Sequence, residues 1–417
     1  MADTFKIDTN QFDQYNITTT NDVYVLIEGV FIVEGTSGNG IFVDTAFTGN
    51  TIRALGRIDA IGSAIFSAAT DTDVRVSDTA KLAGVNGVTF TGNHSSLVNS
   101  GAISGIHRGV VMSAIEGDIT NNGAVIGQDN EAISVADGDY EIDNNGSLAG
   151  HVGILCSGSD LVVRLGANSV INTTAAAIAI TSTNADHSKV TNNGLMTTGA
   201  LTAYSGGDGA DRLINHGTIL GEVRFGGGED VFDGRGGYVG GRILGGAGDD
   251  TFIIDDRRAD IFEVAAEGDD SVRSSVSYTL TAGQEIEHLA LTGSHSIRAT
   301  GNELANQLTG NSKANILNGM AGIDALNGGR GNDRMTGGAD QDTFFFAKGG
   351  GHDQIVDFDI STDLLDLSKW DGVETLARVR AHAHEEHGGL TIEAGHDSLF
   401  LKGIDKNDLT TLNFADM

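Results

Sequence analysis

Five nine-residue units follow one another without a slip, beginning at Gly301, Gly310, Gly319, Gly328 and Gly337. Their sixth positions are Asn306, Asn315, Asp324, Asp333 and Asp342, and their eighth positions are Leu308, Leu317, Leu326, Met335 and Phe344. A strict period of nine suits neither a helix nor a meander of long strands; it is the signature of stacked turns and short strands. The first six residues of each unit predict a glycine-rich turn, and the last three a strand whose eighth-position side chain points inward. Two units complete one coil. Asp324 and Asp342, 18 residues apart, therefore stack on one edge, and Asp333 belongs to the opposite edge.

The same pattern occurs upstream. Gly245-Gly246-Ala247-Gly248-Asp249-Asp250-Thr251-Phe252-Ile253 satisfies Gly-Gly-x-Gly-x-Asp-x-apolar-x at every fixed position, as does Gly206-Gly207-Asp208-Gly209-Ala210-Asp211-Arg212-Leu213-Ile214. A third copy keeps Gly226, Gly228, Asp230 and Phe232 but lacks the first glycine.

Stacking aspartates has a cost. Two carboxylates ~5 Å apart at an effective dielectric of 20 repel by about 3 kcal/mol, and one apolar residue per nine makes a thin core. A hard divalent cation held by carboxylates and turn carbonyls removes the repulsion, and all-oxygen ligation selects Ca2+ over zinc or copper. The candidate ligand turns are Gly206, Gly207 and Gly209 with Asp211; Asp230; and Gly245, Gly246 and Gly248 with Asp250. In the later array they are Gly319 and Gly322 with Asp324, Gly328 and Gly331 with Asp333, and Gly337 and Asp340 with Asp342. Several ions are expected, with folding coupled to their binding. Asn306 and Asn315 carry no charge, so the early units should bind weakly or cap the array.

Composition agrees. The 417 residues include 60 Gly and no Pro, which fits many tight turns joined by strands that use every backbone N–H. The formal net charge of −32 disfavours nucleic acid and anionic membranes as partners and favours cations. A single cysteine, Cys156, excludes an internal disulfide framework, and its apolar neighbours predict burial. No segment approaches the ~18 apolar residues of a membrane span. The N-terminus has no apolar core of the kind a cleaved signal needs.

The first half carries a longer repeat. Asn-Asn-Gly occurs at Asn121-Asn122-Gly123, Asn144-Asn145-Gly146 and Asn192-Asn193-Gly194, with looser copies at Asn99-Ser100-Gly101 and Asn215-His216-Gly217. The glycines at 101, 123, 146, 194 and 217 are spaced by about 22 residues or twice that. Alternating apolar residues after each glycine predict short strands, hence a parallel β-helix of seven or eight coils from about residue 50 to 220, with Asn ladders at matching corners. Val23-Tyr24-Val25-Leu26-Ile27 is expected to belong to a capping strand pair. The acids Asp118, Asp137, Asp139 and Asp143 are expected at separate solvated turns rather than in a catalytic cluster.

At its nonapeptides the chain resembles the RTX (repeats-in-toxin), or haemolysin-type, calcium-binding proteins. The segment from Glu263 to Gly293, with Gly268-Asp269-Asp270-Ser271-Val272 and Glu287-His288-Leu289, looks like the spacer between two repeat blocks of that family. Gly351-His352-Asp353-Gln354-Ile355-Val356-Asp357-Phe358 and Asp363-Leu364-Leu365-Asp366-Leu367 resemble the C-terminal domain of serralysin-type secreted proteases. The resemblance implies a parallel β-roll, calcium, and type I secretion machinery as a partner, reading an uncleaved C-terminal signal. The end of the chain, Asn413-Phe414-Ala415-Asp416-Met417, departs from the family in having one apolar residue after the acid where several are common. Protease activity is not implied, because no His-Glu-x-x-His occurs; His382-Ala383-His384-Glu385-Glu386-His387 reads as a surface charge cluster. No Gly-x-Ser-x-Gly elbow is present either.

The expected architecture is all-β: an N-terminal parallel β-helix continuing into a C-terminal calcium-binding parallel β-roll. The expected regions are a cap over 1–50, a helix over 51–205 and a roll over 206–345 in two blocks, 206–253 and 301–345; a capping and secretion region covers 346–417. The expected function is that of a secreted, extracellular or cell-surface calcium-binding protein, a non-enzymatic scaffold or adhesin that meets a surface glycan or matrix component. The alternative is a polysaccharide lyase, epimerase or glycan binder using the N-terminal helix.

Overall fold

The computed structural model describes residues 3–7, 15–26, 31–33, 38–113, 115–136, 138–158, 160–181, 187–263, 268–373, 375–410 and 413–414. The chain divides into two compact units, Met1–Ala247 and Gly248–Met417. Each is a parallel β-solenoid, and among the described residues the structure is β apart from the short helix Leu376–His382 and the 3-10 turn Asp408–Thr410. The block 206–253 thus contributes to both units.

In the first unit, the alternation of apolar and polar residues sets which side of each strand is buried. Along one sheet, Ile52 pairs with Val74, Val74 with Leu97, Leu97 with Ile119, Ile119 with Ile142 and Ile142 with Val163. The same register runs on through Val190, Leu213 and Phe232. Ile65, Val88, Val110, Ile133, Ile154 and Ile178 form the facing column of the second sheet. All of these side chains are buried. At ~1.5–3 kcal/mol for each fully buried aliphatic side chain, the two columns alone account for much of the core. Cys156 lies in this core, as expected.

The expected short strands after the Asn-Asn-Gly corners are in several coils fused into long ones, Ala102–Met112, Ser147–Cys156 and Leu195–Ser205, and Lys81–Phe90 is a long strand of the same sheet. Shifts of register near Gly84 and Gly150 let these strands bend around the coil without breaking. The double spacing between Gly146 and Gly194 holds a coil with strand Leu161–Leu165, whose corner is built by Gly166 and Ser169 instead of Asn-Asn-Gly. Val23–Leu26 pairs in parallel with Thr4–Ile7 and with Thr51–Ala54, so it is a coil of the stack. Ile27 lies outside the described residues.

The Asn ladder is present. Asn99 Nδ2 donates to Asn121 Oδ1 at 2.7 Å, and Asn121 Nδ2 to Asn144 Oδ1 at 2.6 Å. Asn144 in turn donates to Ser169 Oγ, and Asn192 to Asn215 at 2.8 Å. These amides are fully buried. Each satisfies its neighbour, which is what allows polar groups inside the coil.

In the second unit the nine-residue period governs. Leu308, Leu326 and Phe344 stack in one sheet and Leu317 and Met335 in the other, all with no exposed surface. Beyond the array, Leu364–Lys369 continues the first sheet and His352–Ile355 the second. The second sheet then receives Asp397–Lys402 in parallel and ends in antiparallel Gly389–Ala394 and Ala383–Glu386.

Candidate metal centre

Each sixth-position side chain reaches back along the stack to the coil before it. The Asn306 N–H donates to Asp324 Oδ1 at 2.8 Å, Asp324 N–H to Asp342 Oδ1 at 3.0 Å, and Asp342 N–H to Asp363 Oδ1 at 3.0 Å. On the opposite edge, Asn315 N–H donates to Asp333 Oδ1 at 2.7 Å and Asp333 N–H to Asp353 Oδ1 at 2.8 Å. The predicted stacking of Asp324 on Asp342, with Asp333 opposite, is therefore the geometry of the unit.

One oxygen of each carboxylate is used in this way. The other, Oδ2 of Asp324, Asp333 and Asp342, is buried and has no hydrogen-bond partner. The first-position glycines make room for it. A Cβ on Gly319 would lie 2.1 Å from Asp324 Oδ2, one on Gly328 2.5 Å from Asp333 Oδ2, and one on Gly337 2.2 Å from Asp342 Oδ2. The same glycine carbonyls face the stack: Gly337 O lies 2.5 Å from that position on Gly319. Orphaned carboxylate oxygens beside inward carbonyls form an all-oxygen donor set, which fits a hard divalent cation.

The electrostatics agree. Burial, opposed in part by the backbone hydrogen bonds and reinforced by neighbouring carboxylates, pushes Asp324 and Asp333 up to about 7. Burial likewise pushes Asp342 and Asp353 up to about 6. Such groups would bind a proton unless a cation replaces it.

The turns are not equivalent. In Asn306 and Asn315 the side-chain oxygen also accepts the N–H of the second residue of its own turn, from Asn302 at 2.8 Å and Asn311 at 2.7 Å. Asp211 does the same with Gly207 N–H at 3.1 Å, while its other oxygen takes Ser188 N–H at 3.2 Å. These turns close on themselves. Asp230 Oδ1 accepts Asp211 N–H at 2.5 Å, which continues the ladder within the first unit. In the second unit Asp250 N–H donates to Asp270 Oδ1 at 2.8 Å, and Asp270 N–H to Glu287 Oε2 at 2.8 Å. Asp340 lies at the edge of its turn, where its Oδ2 accepts Gly322 N–H at 3.3 Å.

Asp270, Glu287, Asp353, Asp357 and Asp363 were not among the predicted ligands. Asp357 Oδ1 accepts Gly337 N–H at 3.1 Å. Among the described residues, no three His, Cys, Asp or Glu side chains converge as a metal cluster, so any site here depends on carbonyls as well as carboxylates. His382 ends the helix with its Nδ1 2.8 Å from Arg378 O, while His384 and Glu385 are exposed on the strand that follows.

One expectation is corrected. Asp118, Asp139 and Asp143 do not sit at separate turns. All three lie on strands, where parallel register pairs Asp118 with Glu141, Glu116 with Asp139 and Asp143 with Arg164. With His94 and Asp160, the acids Glu116, Asp118, Asp139 and Glu141 line an open groove of about 530 Å³. Burial and then Glu141 and Asp143 raise Asp118, and Arg164 ion-pairs with both Glu141 and Asp143. Asp137 lies outside the described residues.

The description of the RTX calcium-binding nonapeptide repeat matches residues 301–345, in four copies. Residues 301–345 are RTX repeats. Repeats of this kind bind Ca2+, and proteins that carry them are typically secreted. No curated protein matches the chain. Among solved structures, the extracellular lipase LipA from Serratia marcescens matches at 18% identity and a TM-score of 0.20. The alignment covers 50% of this chain and 40% of the lipase, a likeness too slight to inform fold or activity. Among the described residues, no helix is long and apolar enough to cross a membrane.

Proposed function

We propose that the chain is a secreted calcium-binding protein whose C-terminal unit folds on meeting extracellular calcium and serves as a non-enzymatic surface or matrix scaffold. One observation carries this reading: buried, stacked aspartates at 324, 333 and 342 each keep one oxygen without a partner, beneath a glycine that leaves it space. The ions lie between Asp324 and Asp342, between Asp342 and Asp363, and between Asp333 and Asp353. The turns of Gly206–Asp211, Asp230 and Gly245–Asp250 hold further ions, the first of them having to break the Gly207–Asp211 bond. Low calcium inside a cell keeps the roll open for type I export, and external calcium closes it. The test is circular dichroism of the full chain during calcium titration from metal-depleted buffer. The β signal should rise with calcium; no change up to millimolar calcium removes the reading.

The acidic groove favours a second reading, an enzyme or binder acting on a polysaccharide, because its carboxylates, His94 and Arg164 share one face. Tyr140, which lines it, is buried, so its ring is not offered for a sugar to stack on. Incubation with acidic polysaccharides should yield no unsaturated or epimerised uronide; such a product would reverse the ranking.

A further inference from the structure

The turn Gly349–Asp353 of the second unit joins a carboxylate site to the antiparallel hairpin that ends the sheet. Asp333 N–H donates to Asp353 Oδ1 at 2.8 Å, and Asp353 lies beyond the matched repeats. Asp333 is 2% exposed and its Oδ2 is without a partner; Asp353 is 5% exposed. The turn leading into Asp353 points two N–H groups the other way. Gly349 donates to Asp397 Oδ2 at 2.7 Å and Gly351 to Asp397 Oδ1 at 3.1 Å. Asp397 opens Asp397–Lys402, which pairs His352 with Ser398 and Asp353 with Leu399. The nearby Lys348 pairs with Asp371, 2.9 Å away.

We infer that Asp333 and Asp353 form a divalent-cation site whose second carboxylate lies outside the repeats, and that filling it latches the hairpin Gly389–Lys402 onto the roll through Asp397. The inference rests on the calcium reading above. Three carboxylates, Asp333, Asp353 and Asp397, flank one short glycine turn. Without a cation their mutual repulsion opposes both the closing of the coil and the docking of the hairpin. A cation between Asp333 and Asp353 cancels the charge at Asp353 that faces Asp397. It also fixes the turn whose N–H groups hold Asp397. The hairpin carries Leu390, Ile392, Leu399 and Leu401, which are fully buried, so its docking covers an apolar face.

Hydrogen exchange on the full chain tests this. In the wild type, calcium should slow exchange at 316–345 and at 389–402 together. Asp353→Asn should keep the slowing at 316–327 and lose at least tenfold of it at 389–402. Asp397→Ala supplies a second view, since Asp397 is not placed as a ligand. Coupling between sites is reciprocal, so loosening the hairpin tenfold must weaken the ion at this corner about tenfold, with the other ions unchanged. Hairpin protection in the wild type that is independent of calcium overturns the latch, as does unaltered calcium binding in Asp397→Ala. Absence of any calcium response at 316–345 in the wild type would instead remove the reading beneath it.

Discussion

The backbone N–H of Asp324 donates to Oδ1 of Asp342 at 3.0 Å, and Oδ2 of Asp342 is left buried with no hydrogen-bond partner. One oxygen ties consecutive coils together and the other faces a space sized by a missing Cβ. Asp342 stands in the middle of its ladder, between Asp324 and Asp363. Its charge therefore belongs to two proposed ion positions.

Replacing Asp342 with Asn separates these two tasks. Oδ1 survives, so the Asp324 N–H keeps its acceptor, while the negative charge is lost. Asp342→Asn should lose two calcium ions, or weaken both at least tenfold, by isothermal titration calorimetry. In metal-depleted buffer the same variant should melt higher than the wild type, because a buried like-charge contact is gone. A lower melting temperature in both conditions would mean that Asp342 serves packing alone.

The pH dependence has a definite sign. Asp324 and Asp333 rise to about 7, and Asp342 and Asp353 to about 6, against an ordinary value of 3.8. A carboxyl whose folded value is raised contributes stability that is fully present below the unfolded value and is lost as pH rises through the folded one. Without metal, the second unit should therefore lose stability steadily between about pH 4 and pH 7. With calcium the order reverses, because protons compete with the ion for the same oxygens. Calcium binding at pH 6 should release protons, read as a buffer-dependent heat in calorimetry; an identical heat in all buffers would contradict the raised values.

Backbone geometry offers a matched pair. At Gly328 a Cβ would lie 2.5 Å from Asp333 Oδ2, so Gly328→Ala should abolish the ion at Asp333, whereas Gly199→Ala, with nothing nearer than 3.7 Å, should be silent. Met320 is the opposite case. It holds φ +88° at a turn position where the unit starting at Gly337 has Gly338, at +118°. Such a conformation costs a non-glycine residue on the order of 1–3 kcal/mol. Met320→Gly should thus raise calcium-loaded stability by about 1 kcal/mol after the entropy of glycine is subtracted, as measured by urea denaturation.

Asn121 tests the first unit. Its amide accepts from Asn99, donates to Asn144 and takes the N–H of Gly123 at 3.2 Å. Asn121→Ala strands buried partners on both neighbouring coils and should cost roughly 1–3 kcal/mol. The loss should be the same with and without calcium. A calcium-dependent loss would place this corner under the control of the metal.

The sequence made legible what a fixed spacing determines. Asp324, Asp333 and Asp342 and their inward partners Leu326, Met335 and Phe344 stand where a period of nine puts them, because every turn between them has one length. Asp353, Asp363, Asp270 and Glu287 join the same ladders at separations of 20, 21, 20 and 17 residues. Turns of other lengths take them out of frame, so only the fold shows that they belong. The acidic groove was hidden for a related reason. Asp118 and Glu141 are neighbours only through strand register, and nothing in their local sequence marks the shared face.

The corner bond found at the aspartates also occurs where no ion is needed. Asp22 N–H donates to Asn50 Oδ1 at 2.9 Å, and Thr72 N–H to Ser95 Oγ at 3.4 Å. A neutral side chain at this corner completes its coil unaided, whereas on the calcium reading proposed above a buried aspartate with an unpartnered oxygen makes the same coil depend on a cation. On that reading, dependence on the medium is written one residue per turn, and exchanging Asn for Asp along a single column would move the boundary between the part of the chain that is always shaped and the part that takes shape on arrival.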